Sequence, residues 1–277
     1  MANRPRTRGR STSRQRKSDE TKKAIRNILV VLALVSVVAF FYFRSVLSQR
    51  SLDEETACPS EVHGVTVLLV DVTDPMNTPQ RQDFRNQLDK LLGQIDRYEK
   101  LVVVKVDPVG DSLLAPVITR CNPGSGKDVT DVDGNPKKLE RQHREQFVEP
   151  MTKAFEGLMA ASGAARSPVM ESVQSVALSE LQKNGAGDEE RTLILASDLL
   201  QNTDRVSFYG GLPDPKEFVK TQAFQRVSTD LSGVKVELWM LQRDDSQKTQ
   251  PNALHEFWEH IINEQGGQVT RVYRVSG

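Results

Sequence analysis

The sequence predicts an α/β domain, with a mostly parallel sheet and helices on both faces, preceded by a single transmembrane helix. Three observations predict this architecture. Short apolar runs alternate with longer segments of helical periodicity, which is typical of strand–helix–strand units. The apolar runs are continuous, as expected of parallel strands buried on both faces. An uncharged segment near the N-terminus is the third observation, because its length approaches the thickness of a bilayer.

The transmembrane prediction rests on residues 24–47. Ile28–Phe43 has no charged residue, and with its borders it reaches the roughly 20 residues that a helix needs to cross hydrocarbon. Arg26 and Arg44 can extend to the two interfaces, and Tyr42 suits the headgroup region. A cleaved signal peptide is the alternative, but no small-x-small cleavage site follows the apolar run. We therefore expect a retained signal-anchor.

The uneven charge distribution predicts the orientation. Residues 1–50 carry 12 Lys/Arg and 2 Asp/Glu, whereas residues 51–277 carry 25 and 35. Because basic flanks stay in the cytoplasm, the tail at residues 1–23 is expected there and the C-terminal domain on the extracytoplasmic side. The polar, Arg-rich tail cannot bury a core and is predicted to be disordered, and no nucleic-acid partner is expected. We interpret the anchor-plus-domain layout as that of a bacterial inner-membrane protein with a periplasmic domain.

Each apolar run of the body is predicted as one strand, since turn-forming or charged residues bound it. The third is weakened by Pro116, because proline cannot donate to a strand ladder, and the last is expected at a sheet edge. The strands are expected at Val62–Asp71, Leu101–Asp107, Leu113–Arg120, Arg191–Asp198, Val234–Leu241 and Gln268–Val275.

Between these runs the apolar residues recur at helical spacing, as Phe84, Leu88 and Leu91 do in the first such segment. The helices are expected at Pro79–Tyr98, Leu139–Ala161, Pro168–Lys183, Pro215–Leu231 and Ala253–Gln265. A linker at residues 48–61 is predicted to join the anchor to a domain at residues 62–277.

The two cysteines, Cys58 and Cys121, both lie on the predicted extracytoplasmic side, where a disulfide can form. A disulfide would fix the linker to the domain. Two unpaired thiols are the alternative, and both stay open because sequence gives no distance between them.

Polar residues follow the first predicted strand, in the turn Asp71-Val72-Thr73-Asp74-Pro75. Asp71 and Thr73 are two residues apart, so both side chains can point to one side of the turn. A carboxylate beside a hydroxyl is a hard-oxygen donor set that suits Mg²⁺. The alternative is that Asp71 only caps a turn and Thr73 only bonds the backbone.

Two further segments could converge on this turn. The apolar run Thr192–Ser197 leads to Asp198, so neighbouring strands would bring Asp71 and Asp198 to one crevice. Ser167 stands just before a predicted helix with Pro168 at its first position. That arrangement predicts an N-cap, which needs no ligand.

With these residues in place, the chain resembles the von Willebrand factor A family. The resemblance implies a Rossmann-like sheet with a metal-ion-dependent adhesion site at one end, built from Asp-x-Ser-x-Ser, a Thr in a later loop and an Asp after strand four. Asp71 and Thr73 fit the first two positions, whereas Pro75 at the third has no side-chain ligand oxygen. Ser167 could stand for the Thr, and Asp198 matches the last Asp.

The predicted metal ligands are Asp71, Thr73, Ser167 and Asp198, with Asp74 as a substitute for the contact that Pro75 removes, and the predicted ion is Mg²⁺. The resemblance implies a protein-interaction module in which an acidic side chain of the partner completes the coordination. No nucleophile–base pair is visible, so no enzyme is predicted.

Two alternatives to the interaction module remain open. One is a Mg²⁺-dependent phosphohydrolase with Asp71 as nucleophile and support from Lys235 and Asp244-Asp245. The other is a metal-free structural scaffold.

Overall fold

The computed structural model describes residues 12–47, 52–107, 113–131, 134–160, 164–182, 189–243, 250 and 253–275. The chain forms two compact units, Met1–Ser51 and Leu52–Gly277.

The first unit contains helix α1, Thr12–Leu47. Its segment Lys22–Phe43, 22 residues, is the one helix among the described residues that is long and apolar enough to cross a membrane, and none of it is buried. The predicted single-pass anchor falls on this helix. Helix α1 also includes residues 12–23 of the tail, where Arg, Lys, Gln and Glu are good helix formers and extend a helix that is already nucleated.

The described part of the second unit contains a six-stranded sheet in the order β3-β2-β1-β4-β5-β6. Neighbouring strands are parallel, except that β3 is antiparallel to β2. The strands are β1 Gly64–Val70, β2 Lys100–Lys105, β3 Pro116–Cys121, β4 Glu190–Ser197, β5 Val234–Leu241 and β6 Gln268–Val275. The predicted α/β class and the edge position of β6 are confirmed.

The helices of this unit are α2 Thr78–Leu92, α3 Pro136–His143, α4 Glu149–Ala160, α5 Val169–Val176, α6 Pro215–Phe218, α7 Gln222–Val227 and α8 Leu254–Glu264, with π-helical turns at Arg144–Val148 and Ala177–Leu181. The predicted helix Pro215–Leu231 is two short helices instead. Its interruption comes at Thr221, whose hydroxyl accepts a hydrogen bond from the amide of Phe224 (3.2 Å) and so caps α7.

The core forms one layer on each face of the sheet, because successive strand residues point to opposite faces. In β1, Val67 and Leu69 pack in one layer, and Leu68 and Val70 pack in the other. The first layer includes side chains of α5, α7 and α8, and the second includes those of α2 and α4. Each fully buried Val or Leu contributes about 1.5–3 kcal/mol, so the sheet is held firmly from both sides.

The domain begins before the predicted position. Residues 52–61, predicted as linker, belong to the second unit, and Leu52 pairs with Pro59 in an isolated bridge. A disulfide joins Cys58 to Cys121, with 4.8 Å between their Cα atoms. Since Cys121 lies opposite Lys100, the first residue of β2, the disulfide lies at the amino edge of the parallel strands. The remaining linker residues, 48–51, lie outside the described part.

Candidate functional site

The crevice of this sheet lies at the carboxyl ends of β1 and β4, where the strand order changes direction. Asp71 follows β1 directly and Asp198 follows β4 directly. The amide of Asp71 donates to the carbonyl of Ala196 in β4 at 2.8 Å. The structure therefore brings the two predicted acids to one edge, between neighbouring strands.

The carboxylate of Asp71 is fully buried and accepts four hydrogen bonds. Thr73 donates to Oδ1 from its amide (3.0 Å) and its hydroxyl (2.7 Å). The hydroxyls of Ser167 (2.8 Å) and Ser197 (2.9 Å) donate to Oδ2. Hydrogen bonds to an ionised acceptor are strong, so these four stabilise a charge that burial alone would disfavour.

Ser167 does not cap a helix, contrary to its prediction. The N-cap position of α5 is Pro168, and no side chain bonds there. Ser167 instead pairs through its backbone with Asn202, each amide donating to the other's carbonyl at 2.9 Å. This pairing holds Ser167 in an extended conformation, and its hydroxyl is then directed to Asp71.

Asp198 has a different environment. Its Oδ1 accepts a hydrogen bond from the amide of Leu200 (2.9 Å), and its Oδ2 accepts one from Nε of Arg243 (3.0 Å). Burial, and next the nearby charge of Asp71, raise the pKa of Asp198 to about 6, although Arg243 acts to lower it.

Arg243 is the central cation of the crevice. Besides Asp198, its guanidinium meets Asp74, with Nη2 3.2 Å from Oδ2, and donates from Nη1 to the carbonyl oxygen of Pro75 at 3.4 Å. The side chain of Gln250 bonds the backbone of Arg243 and of two neighbouring residues in the crevice. The Oε1 of Gln250 accepts from the Arg243 amide (3.1 Å), and its Nε2 donates to the carbonyls of Asp198 (3.1 Å) and Leu241 (2.9 Å).

Sequence reasoning missed Arg243 and Ser197. A signal for Arg243 exists, because it follows β5 by two residues and β5 is the neighbour of β4. Ser197 is the last residue of β4, where a small polar side chain carries no signal of its own.

The donor set fits Mg²⁺ only in part. Thr73 and Ser167 each donate their hydroxyl proton to Asp71, so lone pairs of their oxygens stay available, and oxygen is what Mg²⁺ prefers. Asp198 and Asp74, however, are paired with Arg243. Among the described residues, no group of three or more His, Cys, Asp or Glu side chains could hold a metal ion. In this arrangement the residues do not fit a divalent ion in addition to the guanidinium.

The geometry also gives no support to Asp71 as a phosphohydrolase nucleophile. Its carboxylate is fully buried, with both oxygens engaged. Lys235 pairs with Glu190 and lies opposite Thr192, near the other end of the sheet. Asp244 and Asp245 lie outside the described residues.

The loop after β4 presents one exposed aromatic side chain. Tyr209 is 49% exposed, whereas its neighbour Phe208 is buried against Phe218 and Phe257. Partial burial, and then the negative charge of Asp198, raise the pKa of the Tyr209 phenol. The phenol therefore lies within electrostatic reach of the buried acid.

A cavity of about 230 Å³ lies at the opposite, amino edge of the sheet. Glu99 lines it, and burial raises the pKa of this carboxyl. Its oxygens accept hydrogen bonds from the Thr66 hydroxyl (2.6 Å) and the Asp96 amide (2.8 Å). This cavity lies away from the topological switch point, where open α/β sheets bind their ligands, so it is a weaker candidate site than the crevice.

No model of a known protein family matches the sequence, and no curated protein matches it. Among solved structures, BatB from Bacteroides thetaiotaomicron is similar at 10% identity and a TM-score of 0.40, covering 77% of this chain and 91% of that one. An aerotolerance-related membrane protein from Bacteroides fragilis, with multiple mutations to serines, is similar at 9% identity and a TM-score of 0.35, covering 77% and 92%.

The pilus adhesin SpaC from Lactobacillus rhamnosus, in its open conformation, is similar at 11% identity and a TM-score of 0.41. The match covers 79% of this chain and 28% of the adhesin. Similarities with such low sequence identities and TM-scores give no information about function. The described residues form an α/β domain with a polar crevice at its strand ends and, earlier in the sequence, one candidate membrane helix.

Proposed function

We propose that the protein is a single-pass membrane protein whose von Willebrand factor A-like domain is a protein-interaction module on the extracytoplasmic side. The observation that carries the proposal is the polar crevice at a topological switch point, where Ser167 bonds Asp71 and Arg243 bonds Asp198. Crevices at such points are where open α/β sheets bind their ligands.

The position of the crevice in the domain supports an interaction role. The chain enters the domain at the amino edge, where the Cys58–Cys121 disulfide lies, and the crevice is at the carboxyl edge. The seven residues of β1 separate the two edges by about 20 Å. The crevice is therefore at the opposite end of the domain from the disulfide.

The surface around the crevice includes one aromatic and one arginine side chain. Tyr209 is half exposed, Asp74 is 44% exposed, and Arg166 pairs with Asp204 at the surface (3.3 Å). Aromatic and Arg side chains are enriched at protein interfaces and carry much of their binding energy. We propose a protein as the partner, bound over Tyr209 and the mouth of the crevice.

The disulfide supports the extracytoplasmic side, because disulfides persist in oxidising compartments such as the bacterial periplasm. The basic residues before the membrane segment support the same orientation. Protease added to intact spheroplasts tests it. We expect cleavage of the domain and protection of an epitope on the tail, and the reverse pattern would contradict the proposed side.

Photo-crosslinking tests the interaction surface. We would place a benzophenone amino acid at Tyr209 of the full chain, and at Leu178, 46% exposed, as a matched control. In native membranes, we expect an ultraviolet-dependent adduct with another protein from position 209 and none from position 178. Equal adducts from both positions, or none from position 209, would contradict the proposed surface.

A further inference from the structure

We infer that Arg243 occupies the place that a divalent cation would take in this crevice. The guanidinium and a divalent ion are then alternative partners of Asp198 and Asp74, and in the wild-type protein the guanidinium takes that place. This inference concerns the same site as the proposed function. Its test measures metal binding and not partner capture, so the two can fail separately.

The contacts of Arg243 carry the inference. The guanidinium reaches two of the three predicted metal-binding acids, Asp198 at 3.0 Å and the substitute ligand Asp74 at 3.2 Å. It also reaches the carbonyl of Pro75 at 3.4 Å, at the motif position that lacks a ligand side chain. One planar cation thus contacts three oxygens from two loops, and two of these oxygens belong to predicted metal ligands.

The charges of the crevice favour one cation there, either the guanidinium or a divalent ion, and not both. Asp71 and Asp198 are both buried, and the charge of Asp71 acts on Asp198, so the crevice needs a positive charge. Arg243 is always protonated and its side chain is only 15% exposed, so that charge is present and little screened by water. A divalent ion beside it would be repelled, because like charges interact strongly where water is excluded.

The position of Arg243 is fixed. Gln250 bonds its amide and ties the same segment to the carbonyls of Asp198 and Leu241. The planar fork of arginine also presents five donors in a rigid geometry, whereas the ammonium of lysine is a compact point charge on a flexible stem. An arginine held in this way serves the crevice as a permanent cation.

The test is Mn²⁺ titration of the full chain in detergent, with bound ion measured by electron paramagnetic resonance. The variants are Arg243→Met and Arg243→Gln, both of which remove the charge. Gln keeps an amide that can bond Asp198, so it guards against loss of the fold. Arg85→Met, which removes an arginine from an exposed pair with Glu156, is the matched control.

We expect no saturable Mn²⁺ binding by the wild type or by Arg85→Met up to millimolar concentration. At least one neutral Arg243 variant should bind one Mn²⁺ per chain, with affinity at least tenfold above that of the wild type, and adding Asp198→Ala should abolish this binding. Saturable binding by the wild type that is lost in Asp198→Ala would overturn the inference. So would folded Arg243 variants that bind no Mn²⁺.

Discussion

Asp71 and Asp198 end neighbouring strands at the same edge of the sheet, and both are buried, but their charges are compensated differently. Asp71 is surrounded by neutral donors, three hydroxyls and one amide, that come from three segments. The charge of Asp198 is compensated mainly by one cation, Arg243, and its carboxylate accepts one further hydrogen bond from a backbone amide. The comparison teaches that one crevice can hold two acids when one is stabilised by dipoles and the other by a charge.

The comparison predicts that Asp71→Ala has the largest effect. The change leaves four buried donors without their acceptor, so we expect a loss of about 4 kcal/mol in the free energy of unfolding. Urea unfolding of the full chain, followed by tryptophan fluorescence, measures it, because both tryptophans, Trp239 and Trp258, are buried in the domain. Asp71→Asn keeps one acceptor oxygen and should lose about half as much. A loss below about 1 kcal/mol for Asp71→Ala would show that the hydroxyls find other partners.

Removal of the cation is expected to have the next largest effect. Arg243→Met leaves Asp198 buried and without its main partner, which should cost about 3 kcal/mol at pH 8. Asp198→Asn in the same chain should restore part of the loss, since a buried pair removed whole is much less costly than one removed by half. The exposed control Arg85→Met should change the stability by less than about 1 kcal/mol. Equal losses of unfolding free energy in Arg243→Met and Arg85→Met would show that Asp198 does not depend on Arg243. The proposed difference between Asp71 and Asp198 would then be wrong.

The pH dependence tests Asp198 separately. Its pKa is about 6 in the folded protein against a reference of 3.8, so the folded state binds more protons between these values. The contribution of Asp198 to stability is therefore fully present below about pH 4 and is lost as the pH rises through about 6, by up to about 3 kcal/mol. The difference in unfolding free energy between wild type and Asp198→Asn should fall across that window. A difference that stays constant or rises would contradict the raised pKa.

The smallest effects are expected from single hydroxyls around Asp71. Thr73→Val removes one donor and leaves the Thr73 amide bonded, so we expect about 1 kcal/mol. Ser197→Ala should cost about 2 kcal/mol, because the Ser197 hydroxyl also accepts a hydrogen bond from the amide of Leu199 (2.9 Å). The same urea unfolding measures both. The opposite ranking would mean that the hydroxyls do not share the stabilisation of Asp71 as proposed.

The sheet could be predicted from sequence because its signal is local. Val234–Leu241 and Gln268–Val275 are strands at the predicted residues, since continuous apolar and β-branched runs favour strands wherever they lie in the fold. The break at Thr221 could not be predicted from helical periodicity, because the apolar residues on its two sides keep a helical spacing.

The crevice could be predicted in part. Asp71 and Asp198 each follow an apolar run, so their position at strand ends was visible, and the structure places those ends side by side. Arg243 was not predicted, because it is 45 residues from Asp198 and 168 from Pro75 along the chain. Only the order of β1, β4 and β5 brings these groups together, and strand order is set by long-range packing.

The measurement that tests the central claim most directly is a crystal structure of the full chain grown with Mn²⁺, with anomalous scattering recorded at the manganese edge. The account predicts that the guanidinium of Arg243 lies between Asp198 and Asp74, with no anomalous peak in the crevice. A manganese peak bonded to the hydroxyl oxygens of Thr73 and Ser167, with Arg243 displaced from Asp198, would contradict it.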